Sequence, residues 1–88
     1  MSLDHLLRRL RFRAWHRGTK EADLIIGGFF NRFGQDWTLE EAQWFERFLD
    51  EEDVDIMAWA LGTQEVPEMW RGPMMDAFRR LDFISIVP

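Results

Sequence analysis

Leu3, Leu6, Leu7, Leu10 and Ala14 recur at intervals of three and four residues, the rhythm of one face of an α-helix. Ser2 stands where an N-cap belongs, and Gly18 follows the last periodic turn, where a residue with positive φ commonly ends a helix. The rhythm resumes from about Thr19 with Ala22, Ile25, Ile26, Phe29 and Phe33, and is expected to stop at Gly34. "TLEE" at 38–41 has the form of a capping box, opening a third helix with Ala42, Phe45 and Leu49 on its buried face and Phe48 at the edge. Asp53 is expected to cap a short fourth helix that carries Ile56, Trp59 and Ala60 and ends at Gly62. Pro73 suits the first position of a fifth, with Met74, Ala77, Phe78 and Leu81 along one side. Strand-like alternation is confined to the tail "FISIVP", which either lies extended against the helices or frays. The joints are short, so the pattern predicts an all-α, compact five-helix bundle forming a single domain over residues 1–88.

Composition changes this picture in two ways. A chain of 88 residues buries only about 60% of its unfolded surface, so each large side chain matters, and the eight Phe, five Trp and five Met supply the volume a small core needs. The chain has no Cys, which removes disulfides, thiolate catalysis and cysteine metal sites. No run approaches the roughly 18 apolar residues of a membrane span. An Arg-rich start can mark mitochondrial import, but here it runs straight into the first packing helix; the chain is therefore expected to be mature from Met1 and to work in a bacterial cytoplasm.

Charge is unevenly placed. The net charge is −5, yet Arg8, Arg9, Arg11, Arg13, Arg17 and Lys20 lie in the first twenty residues, and Glu40, Glu41, Glu46, Asp50, Glu51, Glu52, Asp53 and Asp55 lie in the middle. Such a division means either internal pairing or two faces for different partners.

Catalytic constellations are missing from the pattern. His5 and His16 are the only histidines, and a spacing of eleven does not make a helical metal pair. Ser2 and Ser85 have no recognisable base beside them. Gly27-Gly28 follows no strand and opens no helix, unlike a phosphate loop. Most carboxylates fall in first helical turns, where the helix dipole favours them. Binding is left.

Three features exceed what a minimal bundle requires. Phe12 and Trp15 lie opposite the leucines of the first helix, near Arg8, so that helix is either covered on two sides or docks something there. Trp44 lies off the Ala42–Phe45–Leu49 stripe and either caps the bundle edge or anchors a partner. Third, Arg17, Gly18, Lys20, Glu21 and Asp23 crowd one helix–helix turn. Helix capping explains part of it, with Glu21 and Asp23 facing the second helix's N-terminus and Arg17 pairing with Glu21. It does not explain the nearby Gly27-Gly28, each costing about 1 kcal/mol relative to Ala, for which close approach of another backbone is the expected reason.

"RLRFRAWHRGTKEADLIIGGFF", with Arg17-Gly18-x-x-Glu21 followed by Asp23 and Leu24, resembles the opening of the SdhE family of FAD assembly factors, the flavinylation factors of succinate dehydrogenase. "FLDEEDVDIMAWALG" is similar to that family's second stretch through Asp53, Asp55 and Trp59, with Ile56 for the usual leucine and Val54 for a common proline. The resemblance covers about residues 9 to 62. It implies an assembly factor without its own active site. Its partner is the flavoprotein subunit of succinate dehydrogenase, and in some bacteria of fumarate reductase, on which FAD becomes covalently attached to a histidine. It implies no stably bound cofactor, no nucleic acid, no membrane and a monomer. Carried onto this chain, the partner-binding set is Arg17, Gly18 and Glu21 as contacts, Lys20 and Asp23 at the rim, and Phe12, Trp15, His16 and Asp53 around them. The alternatives are a helical nucleic-acid-binding or general protein-interaction module using the Arg-rich first helix, and an enzyme that holds FAD itself.

Overall fold

The computed structural model describes residues 2–84. Five helices follow in order: α1 (Leu3–Trp15), α2 (Lys20–Phe33), α3 (Leu39–Phe48), α4 (Asp53–Leu61) and α5 (Pro73–Arg79), with single 3-10 turns at Gly34–Asp36 and Glu68–Trp70. No strand occurs among the described residues. Residues 85–88 of the tail lie outside them; Phe83 and Ile84 are packed against the helices.

The helix starts follow from side chains that satisfy orphan amides. Ser2 accepts from the amide of His5 at 3.2 Å and Thr19 from that of Ala22 at 3.1 Å. Thr38 and Glu41 close the capping box, with bonds of 2.9 and 3.2 Å. Gly62, at φ 79°, turns the chain out of α4 while its amide returns to the Ala58 carbonyl.

Two boundaries differ from the pattern. The cap of α4 is Glu52, which makes no side-chain cap bond; Asp53 is the first helical residue and its carboxylate points elsewhere. As expected, α2 stops at Gly34, its C-cap, which keeps right-handed dihedrals and passes into the 3-10 turn. Leu81 is not on α5, which stops at Arg79; Leu81 takes φ 55°, and the fully buried methionine is Met75 rather than Met74.

The core is a lattice of aromatic rings. Phe29 of α2 lies 5.2 Å from Phe33 and from Phe78 of α5, 5.3 Å from Phe83, 5.6 Å from Trp37 and 5.9 Å from Phe45 of α3. Phe78 is 5.4 Å from Phe48, which in turn lies 5.3 Å from Trp70 and 6.1 Å from Trp59 of α4. These tilted and edge-on geometries suit ring quadrupoles. Phe48 is therefore fully buried, not at the edge, because α4 and the Glu68–Trp70 turn fold over it. Trp44 stacks on Phe48 at 4.8 Å with its edge partner Trp70 at 5.4 Å, so it covers the rim of the core.

Helices α1 and α2 pack side by side through Gly27. A Cβ there would fall inside the indole of Trp15, whose Nε1 donates to Asn31 at 3.2 Å. The glycine thus makes room for a side chain rather than for another backbone. At Gly28 the neighbour is Phe83, by its ring and its carbonyl.

Phe29→Ala removes the ring on which α2, α3, α5 and the tail converge. A loss of about 3–5 kcal/mol is expected, against a total of about 5–15 kcal/mol for an ordinary domain. The urea midpoint, followed by circular dichroism, should fall steeply.

Candidate functional site

The α1–α2 turn is built by one glycine, two helix caps and one half-buried cation. His16 ends α1, Gly18 reverses the chain at φ 110°, and Thr19 opens α2. A dihedral of that sign is costly for an L-residue, by about 1–2 kcal/mol, while no atom lies within 4 Å of the position a Cβ would take. Glycine is needed at 18 for its backbone, not for space. Asp23 Oδ1 accepts from the amide of Arg17 at 2.7 Å, closing the turn from the α2 side.

Arg17 closes it from the other side. Its Nε and Nη2 both reach Asp53 Oδ1 at 2.8 Å, and Nη2 also donates to the Glu51 carbonyl at 3.2 Å. The side chain of Arg17 is 11% exposed and that of Asp53 27%, so this pair is shielded from water and salt. The expected Arg17–Glu21 pair does not form. Glu21 leaves α2 toward solvent, whereas the α4 start, joined to the core by Trp70 Nε1 donating to Glu51 Oε1 at 3.3 Å, is in reach of the guanidinium.

The same register runs back along α1. Arg9, Arg13 and Arg17, spaced by four, meet Glu46 at 2.6 Å, Asp50 at 2.7 Å and Asp53. The basic start and acidic middle of the chain are thus paired internally along this flank. The outer pairs are well exposed and contribute little each.

What remains outward at the junction is Gly18, Lys20 and Glu21, within four residues of sequence and all exposed, with neither Lys20 nor Glu21 in an ion pair among the described residues. Of the aromatic candidates, Trp15 is half-buried on Gly27 and bonded to Asn31, while Phe12 is 63% exposed and stacks on the ring of His16. Helix α1 is therefore covered at Trp15 and open at Phe12. The structure brings Arg17, Asp23 and Asp53 together as the frame of the turn, and leaves Gly18, Lys20, Glu21, Phe12 and His16 on its outside. The long-range clasp of residue 17 to residue 53 was not read from the sequence, although the matched spacings 9, 13, 17 and 46, 50, 53 carried the signal. No group of three His, Cys, Asp or Glu is placed to hold a metal, and no helix is long and apolar enough to cross a membrane, among the described residues.

Fold and surface together describe a small helical bundle whose distinctive feature is a braced, charged turn. A model of the family described as the flavinator of succinate dehydrogenase matches residues 8–82, and the chain belongs to that family, Sdh5. It is 41% identical over 68 residues to the FAD assembly factor SdhE of Acetobacter pasteurianus, covering 77% of this chain and 62% of that one. It is 34% identical over 77 residues to the mitochondrial succinate dehydrogenase assembly factor 2 of Yarrowia lipolytica, covering 83% and 53%. The factor of the same name from Schizosaccharomyces japonicus is 35% identical over 68 residues, covering 76% and 48%. The chain thus spans about half to three fifths of the length of these curated relatives.

Removing the clasp should cost more than removing either outer pair. Arg17→Ala or Asp53→Asn is expected to lower stability by about 1.5–3 kcal/mol, as for a shielded charged hydrogen bond, and Arg9→Ala or Arg13→Ala by less than about 1 kcal/mol. Urea unfolding of the four variants checks the order.

Proposed function

We propose that this chain is an assembly factor that binds the flavoprotein subunit of succinate dehydrogenase and promotes covalent attachment of FAD to a histidine of that subunit. Fumarate reductase, where its flavoprotein carries the same linkage, is a second client. The protein acts as a monomer in the bacterial cytoplasm and holds no cofactor of its own; the flavin stays with the client throughout. The chemistry belongs to the flavin and the client's histidine, and this chain supplies position. Docking holds the client's flavin-binding and capping domains in the arrangement in which that histidine meets the flavin.

The observation that carries the reading is the division of labour at the α1–α2 turn of a chain of this family. Arg17 and Asp23 are engaged inside the protein, and Gly18, Lys20 and Glu21 stand outward on a backbone they hold still. A fixed turn loses little conformational entropy on binding, so a modest contact area suffices. Gly18 contributes a surface with no side chain, over which the client's backbone can close. Lys20 and Glu21 then set register through charge.

Glu21→Ala is expected to weaken binding of the flavoprotein subunit about 10-fold, the equivalent of about 1.4 kcal/mol, with the melting temperature almost unchanged. Gly18→Ala adds backbone strain alone, whereas Gly18→Arg adds the same strain plus bulk over the turn. Covalent flavin, scored by in-gel fluorescence after co-expression with the subunit, should fall much further for Arg than for Ala while both keep their helical circular dichroism. Equal loss in the two, in step with unfolding, would reduce the glycine to a helix terminator.

A further inference from the structure

The fold sorts the cations of the first helix into two groups. Arg9, Arg13 and Arg17 are turned to α3 and the start of α4 and neutralised there. Arg8 and Arg11 are exposed and make no ion pair among the described residues. His5, Arg8, Phe12 and His16, separated by three, four and four residues, form the outer stripe of α1, directly opposite Leu6, Leu10 and Ala14. At its centre Phe12 is 63% exposed. Its ring lies 3.9 Å from the His16 imidazole at an interplanar angle of 16°, and His16 Nδ1 sits 2.6 Å from the Phe12 carbonyl oxygen. The two rings are held as one plate before any partner arrives. Arg8 and Arg9 flank the open apolar groove beside Phe12, lined also by His5 and Arg13. The one carboxylate bordering the far side, Asp4, is not ion-paired with Arg8.

We propose that this stripe is a second docking surface, and that its occupant is an acidic polypeptide segment with an apolar side chain at its centre, carried by the client flavoprotein. The apolar side chain rests on the Phe12–His16 plate, and a carboxylate of the segment takes the unpaired guanidinium of Arg8. Charge decides the class of occupant. With half of the front cations already neutralised, Arg8, Arg11 and Lys20 are too few to displace the counterions of a duplex. A short acidic segment needs only one or two cations, and its apolar side chain gains from the ring plate. Stripe and turn are contiguous in the chain, since His16 ends the stripe two residues before Gly18.

This inference rests on the proposed function, and the test separates the two. Binding of the purified flavoprotein subunit is measured for the wild type, Phe12→Ser, Arg8→Glu and Glu21→Ala at about 50 and about 300 mM salt, the range over which screening removes surface charge effects. Phe12 and Arg8 are exposed, so both variants should keep their fold by circular dichroism. Each is expected to bind about 10-fold more weakly at low salt, and Arg8→Glu should flatten the salt dependence. A benzophenone residue in place of Phe12 should crosslink to a client peptide rich in Asp or Glu. Native affinity in both stripe variants, with loss in Glu21→Ala, overturns the stripe and leaves the proposed function standing. Failure of the wild type to bind the subunit at all overturns both. A 20-base-pair duplex retained by the wild type at about 150 mM salt and released by Arg8→Glu would assign the stripe to nucleic acid and overturn the inference as well.

Discussion

The guanidinium of Arg17, bound at once to the Asp53 carboxylate and the Glu51 carbonyl, ties the turn between the first two helices to the start of the fourth. Those elements are separated by 36 positions in the chain, and the bond between them fixes the orientation of everything displayed at the turn. Gly18 then reverses the backbone at a dihedral few other residues accept, and Lys20 and Glu21 follow on the first turn of α2. Arg17 is therefore a brace, and the exposed surface at the turn comes from its neighbours. An exposed loop carrying the same residues would lose far more conformational entropy on meeting a partner.

The brace works because the α4 start is itself anchored. Glu51 reaches Trp70, Trp70 packs on Phe48, and Phe48 meets Phe78, which touches Phe29 on α2. The path from the surface turn into the core and back to the helix that begins at that turn is closed. A small bundle has little core to draw on, and the aromatic rings make it rigid by interlocking at several angles instead of by volume alone.

Much of the architecture was legible because it is local. Ser2, Thr19, the Thr38–Glu41 box, Gly62 and Pro73 act on amides or dihedrals within four residues of themselves, so the spacing of side chains states the outcome. At the start of α4 a distant group competed. Asp53 has the right chemistry for a cap, but Arg17 takes its carboxylate, and Glu52 occupies the cap position without a side-chain bond. Phe48 sits just off the apolar stripe of α3 and looks peripheral on a helical projection, yet two later elements cover it. At Gly27 another backbone was expected to come close, but the packing of α1 on α2 brings the Trp15 side chain there instead.

The sequence by itself determined the five helices, most of their caps, the aromatic supply of the core and the motif at the first turn, since each depends on neighbours within a helical turn or two. It also carried the charge imbalance, without saying whether the charges meet one another or a partner. Tertiary structure decided that. It matched Arg9, Arg13 and Arg17 to Glu46, Asp50 and Asp53 and left Arg8, Arg11, Lys20 and Glu21 free among the described residues. Which charges are free is set by the rotation of α1 against α3 and α4. That rotation is a property of helices packed about a shared core, and no single helix contains it.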